Sequence, residues 1–231
     1  MNSKTTLHRV FHAVAGAGPL LFLAIAALEG SARTDYDWIA QPISALALGE
    51  RGWVQTVNFA LLGVAFVSFA MVLRNAFRHG KASVAAPALF VWMTIGVVVA
   101  GAFPMDAAQA PPTPEGRLHG VGGFMVFPSI PLVVLLLARR FRREPDWSPY
   151  FRSTLATGCF CVVMLIFFLV FVGPPTSAPR AASEFRGLVQ RVWLLPFFVW
   201  MALVARRAWM TGGWARASAH HASLESPSGS A

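Results

Sequence analysis

Long runs of apolar residues, separated by short polar stretches, dominate the pattern along the chain. A helix needs roughly 20 apolar residues to cross the hydrocarbon core of a bilayer. Six runs come close to that length, and they lie at residues 11–28, 54–72, 84–103, 118–137, 155–172 and 188–205. The pattern therefore predicts an all-α protein, a polytopic membrane bundle of about six transmembrane helices.

The first apolar run has a second interpretation. Lys4 and Arg9 precede it and small residues follow at positions 30–32, an arrangement that cleaved signal peptides also show. The run is long for a signal peptide, so we interpret it as a transmembrane helix that the protein keeps. Under either interpretation the second run crosses the membrane in the same direction.

Composition supports lipid as the main solvent of the chain. Only 13% of the residues are charged and the mean hydropathy is +0.57, whereas soluble domains carry about 25% charged residues. The formal net charge of +9 would suggest nucleic acid in a soluble protein. Here the basic residues flank apolar runs, so membrane topology explains them and we expect no nucleic-acid partner.

The distribution of Lys and Arg predicts the orientation, because cytoplasmic segments are enriched in both. The N-terminus, the connections near Arg78 and Arg143, and the C-terminal tail hold 13 of the 19 basic residues. Most acidic residues lie in the alternate connections. We therefore expect both termini in the cytoplasm of a bacterial cell, whose plasma (inner) membrane holds the bundle.

Three regions follow from these boundaries. Residues 1–10 form a cytoplasmic N-terminus and residues 11–208 form the transmembrane domain. Residues 209–231 end in a stretch rich in Ser, Ala, Gly and His, which cannot bury enough apolar surface to order itself. The sequence predicts a disordered cytoplasmic tail there.

Polar residues near the ends of the predicted helices gather on one side of the membrane. Arg191 precedes the basic pair at Arg206 by 15 residues, which is about 22 Å along a helix. It therefore lies one or two turns inside the extracytoplasmic edge. His119 is at a similar level, because Arg139 is 20 residues later. Asp106 follows the third run at this same side.

The first extracytoplasmic connection adds further polar groups. It carries Asp37, Gln41 and Ser44 together with the apolar residues Ile43 and Leu46. This mixture predicts a short helix in the membrane interface, with Ser44 near its start. The predicted polar cluster comprises Asp37, Gln41, Ser44, Asp106, His119, Gln190 and Arg191.

Several functions fit such a cluster. His119 could act as an acid or base that Asp106 orients, and Arg191 could bind an anionic group. Two carboxylates and a histidine could also hold a metal, although we assign no metal site and no cofactor. A serine nucleophile motif is absent from the sequence. The leading hypothesis is a site that binds a lipid or another amphipathic molecule by its headgroup, with or without chemistry.

Two alternatives belong to other classes of protein. The cluster could only fix the packing of helix ends in a structural or accessory subunit. A transporter is the third candidate, because Pro128, Pro131 and Pro196 could kink helices and open a cavity. The sequence does not define the oligomeric state.

Short motifs at these landmarks resemble those of a known family. The chain resembles the bacterial and archaeal membrane proteins catalogued as domain of unknown function 998, over most of residues 11–207. The resemblance implies a multi-span membrane protein and no established activity. The matching pieces are Asp37 with Gln41-Pro42-Ile43-Ser44-Ala45-Leu46, Gly101-Ala102-Phe103-Pro104-Met105-Asp106, His119-Gly120, and Gly187-Leu188-Val189-Gln190-Arg191.

Overall fold

The structure, a computed structural model, describes residues 3–77, 82–173 and 181–211. These residues form helices and no strand. The α-helices are α1 (Ser3–Ser31), α2 (Gly52–Ala76), α3 (Ala82–Ala102), α4 (Pro114–Val126), α5 (Ser129–Phe141), α6 (Phe151–Phe167) and α7 (Arg186–Thr211). A five-residue π-helix, Phe168–Val172, continues α6. Of the predicted tail, residues 209–211 belong to the end of α7, whereas residues 212–231 lie outside the described residues.

Six helical segments in the described residues are long and apolar enough to cross a membrane, which confirms the predicted multi-pass helical protein. Most of them extend several residues beyond the apolar runs at one or both ends, because helical hydrogen bonding continues into the polar flanks. The segments are Thr6–Ser31, Gly52–Ala76, Ser83–Ala102, Pro114–Phe141, Ser148–Val172 and Ser183–Thr211.

The fourth span is broken where proline was expected to kink it. α4 ends at Val126 and α5 begins at Ser129, because Pro128 has no N–H to continue the ladder. The Ser129 hydroxyl donates to the Met125 carbonyl across the break, at 2.7 Å. Pro196, by contrast, lies inside α7, which runs without interruption.

Aromatic side chains form the centre of the bundle. Phe66, Phe69, Phe90, Phe197 and Phe198 are at most 1% exposed, and most of their rings pack edge-on or tilted against one another. Lipid is as apolar as these side chains, so close packing rather than water exclusion holds such helices together.

The bundle has two ends, which we name by what lies there. The terminal end comprises the first residues of α1 and the last residues of α7. The loop end comprises residues 32–51 and 103–113.

The first loop, residues 32–51, folds into the loop end of the bundle. Its short 3₁₀ helix, Ile43–Ala47, confirms the predicted helix with Ser44 near its start. Ile43 and Leu46 are at most 1% exposed, so the helix buries its apolar side chains against the bundle. Its position in the membrane interface stays a prediction.

Candidate functional site

A cavity lies directly under the first loop, with a volume of about 70 Å³. It is large enough for about two water molecules or one small chemical group. Its polar lining comes from Ser44, His119 and Gln190, on three separate segments. The remaining lining is Phe22, Ile43, Phe59, Leu62, Phe66, Val97, Ala100, Gly122, Gly123, Val126, Phe127, Leu194 and Phe198.

His119 is held in one tautomer by the end of α3. Its Nδ1 lies 2.9 Å from the Ala100 carbonyl oxygen and 3.0 Å from that of Phe103. Both oxygens only accept hydrogen bonds, so Nδ1 must donate its proton to them. In the neutral ring the lone pair then belongs to Nε2. The imidazole of this cavity-lining residue can therefore accept a hydrogen bond or a proton there.

Gln190 and Ser44 connect the cavity to the loop above it. The Gln190 side-chain oxygen accepts a hydrogen bond from the Ile43 amide at 2.7 Å. The Ser44 hydroxyl donates to the Met105 sulfur at 3.2 Å. The two side chains thus close the cavity by attaching the loop to α7 and to the connection after α3.

Arg191 faces the first loop instead of an acid or the lipid. Its guanidinium donates to the carbonyls of Trp38, Gln41 and Gly187, at 2.9, 3.3 and 2.9 Å. It also donates to the Tyr36 hydroxyl at 2.6 Å. These bonds engage Nη1 and one donor of Nη2, so the loop and α7 hold the guanidinium in place, and anion binding by Arg191 stays a prediction.

Tyr36 completes this attachment. Its hydroxyl donates to the carbonyls of Gln41 and Pro42, at 3.1 Å each. Burial raises the pKa of the Tyr36 hydroxyl, and the hydrogen bond from Arg191 offsets part of that rise. The phenol therefore stays protonated at neutral pH, as its role as a donor requires.

Asp106 binds Thr113, the residue that caps the start of α4. Its carboxylate accepts from the Thr113 hydroxyl at 2.6 Å and from the Thr113 amide at 3.2 Å. Thr113 in turn caps α4 by accepting from the Gly116 amide at 3.0 Å. In this structure the Asp106 carboxylate binds the cap residue Thr113 and the His119 Nδ1 binds backbone carbonyls, so their predicted pairing stays a prediction without a direct hydrogen bond between them.

Asp37 and Gln41 shape the loop itself. The Asp37 carboxylate accepts from the amides of Ile39 and Ala40, at 2.9 and 3.2 Å. The Gln41 side-chain oxygen accepts from the Asp37 amide at 3.1 Å. The structure therefore brings Ser44, His119 and Gln190 to one cavity, while Asp37, Gln41, Asp106 and Arg191 brace the segments around it.

An ion-pair cluster at the same end was missed in the sequence. Glu29 is only 5% exposed, and its carboxylate accepts from Arg33 at 2.9 Å and Arg51 at 2.6 Å. Arg33 also donates to the carbonyls of Leu46 and Leu48, at 2.9 Å each. The four-residue spacing of Glu29 and Arg33 was an available signal, because such pairs face each other on a helix.

Two buried amides in α2 were also missed. Gln55 and Asn58 are fully buried, and the Asn58 amide donates to the Phe22 carbonyl at 3.0 Å. It also donates to the Gln55 side-chain oxygen at 3.2 Å. The Gln55 nitrogen and the Asn58 oxygen make no hydrogen bond with the described residues. Two amide side chains three residues apart inside the second apolar run were the available signal, because polar groups at membrane depth need partners.

The described residues contain no group of three or more His, Cys, Asp and Glu side chains arranged to hold a metal ion. His8 and His12, one turn apart in α1, are joined through backbone: the His12 Nδ1 lies 2.8 Å from the His8 carbonyl oxygen.

Comparison with known families matches residues 16–207 to the family described as "Protein of unknown function (DUF998)". No curated protein and no solved structure matches the chain. The match covers all or most of each of the six candidate spans and includes the cavity and the loop above it. The chain therefore belongs to the DUF998 family of membrane proteins of unknown function.

Proposed function

We propose that the protein binds a lipid or another small amphipathic molecule, with one end of the ligand in the cavity under the first loop. The cavity itself carries this proposal: it is closed above by a polar loop, lined mostly by apolar side chains and supplied with His119. Ligand sites commonly combine an apolar lining with a few placed polar groups.

The ligand's polar atom would meet His119 and its apolar part would pack against phenylalanine rings. With Nδ1 bound to two carbonyls, the His119 Nε2 accepts a hydrogen bond from a hydroxyl or amide of the ligand. A volume of about 70 Å³ admits only one end of a lipid, so the rest of the ligand leaves between helices. If chemistry follows binding, His119 is the base.

A structural or accessory role is the second candidate, and the hydrogen bonds of Arg191 favour it. That guanidinium, the Gln190 amide oxygen and the Asp106 carboxylate all bind groups of the protein itself. A protein with only this role would need no ligand, so the bound molecule distinguishes the two candidates.

The location follows from the charge distribution. We propose that the protein lies in the plasma membrane of a bacterium, with the terminal end in the cytoplasm. The first turns of α1 and the last turns of α7 meet at one end of the bundle, where His12 packs against Trp209, and most Lys and Arg residues of the sequence belong to the segments expected on that side.

Mass spectrometry of molecules that co-purify with the protein in mild detergent tests the binding proposal. Gly123 lines the cavity, and a Cβ atom there would make only ordinary contact with the Phe127 ring, at 3.9 Å. Gly123→Val should therefore fill cavity space without distorting α4 and should displace the ligand. Gly120→Val is the matched control, because a Cβ on this exposed glycine meets nothing within 4 Å.

A second pair of variants separates binding from packing. His119→Asn keeps an amide donor for the α3 carbonyls but lacks Nε2, so it should fold normally and bind the ligand roughly tenfold more weakly, as expected for one lost hydrogen bond. His119→Leu loses both functions and should also lower the melting temperature. Equal amounts of the same molecules in all variants, or none in the wild type, would contradict ligand binding.

A further inference from the structure

The cavity under the first loop opens to the side, between α4 and the start of α7. Most of its lining is buried, but His119, Gly123, Phe127 and Gln190 are partly exposed. The first three follow one another at intervals of four residues, so they lie on one face of α4. Gln190 lies in the first turns of α7. The partly exposed lining residues therefore mark an opening between these two helices.

This opening faces lipid. Gly123 lies nine residues after the start of α4, or about 13 Å along the helix axis, which is deep enough to reach the hydrocarbon of a bilayer. The exposed neighbours on the two helices are apolar, with Phe124 on α4 and Val192 on α7. The Phe127 ring packs against the Trp193 ring at 5.1 Å, so the opening ends there toward the membrane centre.

The lining offers no opposite charge to an ionised group. Among the described residues that line the cavity, none is Asp, Glu, Lys or Arg, and the neutral form of His119 adds no charge. A carboxylate, phosphate or ammonium group would therefore leave water without gaining a partner of opposite charge, which is strongly unfavourable in apolar surroundings. The end of the ligand inside the cavity should be uncharged.

The polar atoms of the lining mainly accept hydrogen bonds. The His119 Nδ1 proton is bound by carbonyls at the end of α3, so its Nε2 carries a lone pair. The Ser44 proton is directed to the Met105 sulfur, so the Ser44 oxygen can only accept from a ligand. Gln190 uses its side-chain oxygen for the Ile43 amide, which leaves its NH₂ group as a donor. The ligand must therefore supply at least one hydrogen.

A hydroxyl group meets these requirements with the fewest partners. It is uncharged, donates one proton and accepts through its oxygen. Its O–H can donate to the His119 Nε2 while its oxygen accepts from the Gln190 amide nitrogen. A primary amide would bring two N–H donors and a carbonyl that all need partners, in a space of about 70 Å³ with three polar side chains.

We propose that the cavity takes the hydroxyl end of a lipid alcohol, which enters sideways from the bilayer and leaves its hydrocarbon chain between α4 and α7. The hydroxyl donates to the His119 Nε2. This assignment rests on the function proposed above and adds the chemical class of the ligand and its route. A single-chain alcohol and a diacylglycerol both present such a hydroxyl.

Displacement of tritiated oleyl alcohol from the full-length protein, delipidated in detergent, tests the end group. The competitors have the same chain length and are oleyl alcohol, oleate, oleylamine, oleamide and the hydrocarbon octadecene. Oleyl alcohol should compete roughly tenfold more tightly than octadecene, the value for one hydrogen bond, and more tightly than the other three. His119→Asn should reduce oleyl alcohol to the level of octadecene.

Two glycine variants define the specific part of this binding. Gly123→Val fills the cavity and should abolish displaceable binding, whereas Gly120→Val should keep it. A charged competitor or oleamide that binds as tightly as oleyl alcohol would overturn the hydroxyl assignment and leave ligand binding intact. The same holds if oleyl alcohol does not bind while Gly123→Val still displaces a co-purified molecule. Absence of both would overturn the assignment and ligand binding together.

The route is tested with oleyl alcohol that carries a photoreactive diazirine in the middle of its chain. Crosslinks that excess oleyl alcohol removes should lie on α4 and α7, and Gly123→Val should eliminate them. Competed crosslinks on α1 or α2 instead would overturn the route. Dioleoylglycerol distinguishes the two sources of the hydroxyl: competition as tight as that of oleyl alcohol supports a diacylglycerol, and much weaker competition supports a single-chain alcohol.

Discussion

At the scale of single residues, Arg191 determines how the first loop is held. An arginine near a membrane interface can extend outward to water, yet this one turns inward to backbone oxygens and to Tyr36. Its planar group can reach several acceptors at once, which a lysine ammonium cannot do in the same geometry. The guanidinium therefore helps to hold the first loop on α7.

Replacing Arg191 should destabilise the protein because the carbonyls of Trp38 and Gln41 and the Tyr36 hydroxyl lose this donor. We expect Arg191→Ala to lower the free energy of unfolding by about 2–4 kcal/mol, and Arg191→Lys to restore only part of that loss. Thermal unfolding in detergent measures both. The control is Arg117→Ala, a change of an exposed arginine on α4 at the same end, and an equal shift in both proteins would contradict this role.

Residue positions were predictable from the sequence, but most hydrogen-bond partners were not. Helix geometry placed Arg191 and His119 at one level, and the structure brings both to the loop end. Helix geometry could not show that Asp106 binds the cap residue of α4, or that His119 bonds to carbonyls at the end of α3. Backbone carbonyls accept hydrogen bonds at every residue type, so no sequence pattern marks which of them a side chain reaches.

At the scale of elements, the first loop depends on a close approach to the start of α7. A Cβ atom on Gly187 would overlap the carbonyl oxygens of Gln41 and Trp38. The Leu188 amide also donates to the Ile39 carbonyl, at 3.0 Å. Glycine therefore lets the loop backbone lie directly on the helix.

Gly187→Ala should lift the loop from α7 and expose the 3₁₀ helix. Ser44 is 8% exposed, so a cysteine at this position, in a background lacking Cys159 and Cys161, should react slowly with maleimide. We expect the reaction to become at least about tenfold faster with Gly187→Ala, as for a loss of roughly 1.4 kcal/mol of docking. An unchanged rate, equal to that of the Gly120→Ala control, would contradict the docked loop.

The elements differ in how well the sequence predicted them. The six spans follow from apolar length alone, and the break at Pro128 follows from the missing N–H. The sequence did not determine whether the short helix of the first loop packs against lipid or against the bundle. Ile43 and Leu46 would bury their side chains equally well in the membrane interface or in the bundle, and only the tertiary packing decides between the two.

At the scale of the whole molecule, polar groups gather at the two ends of the bundle. The loop end holds the cavity, His119 and the bonds that close it. The terminal end holds a groove between α1 and α7 whose lining includes Arg9, His12 and Trp209. Buried aromatic side chains fill the core between these two ends.

The orientation is testable with single cysteines in intact cells, again in a background lacking the native cysteines. Thr34 lies in the first loop and Arg143 at the opposite end, and both are exposed. If both termini are cytoplasmic, a membrane-impermeant maleimide should label Thr34→Cys in intact cells and Arg143→Cys only after lysis. The reverse labelling would contradict the orientation that the Lys and Arg distribution predicts.

The most direct test of ligand binding is a density map of the protein purified with its native lipids, with a bound antibody fragment to aid alignment. Ligand binding predicts continuous density that enters the cavity under the first loop and ends within hydrogen-bonding distance of the His119 Nε2. A cavity that holds only water, or no density at all, while the loop stays docked on Arg191, would contradict ligand binding and favour a purely structural role.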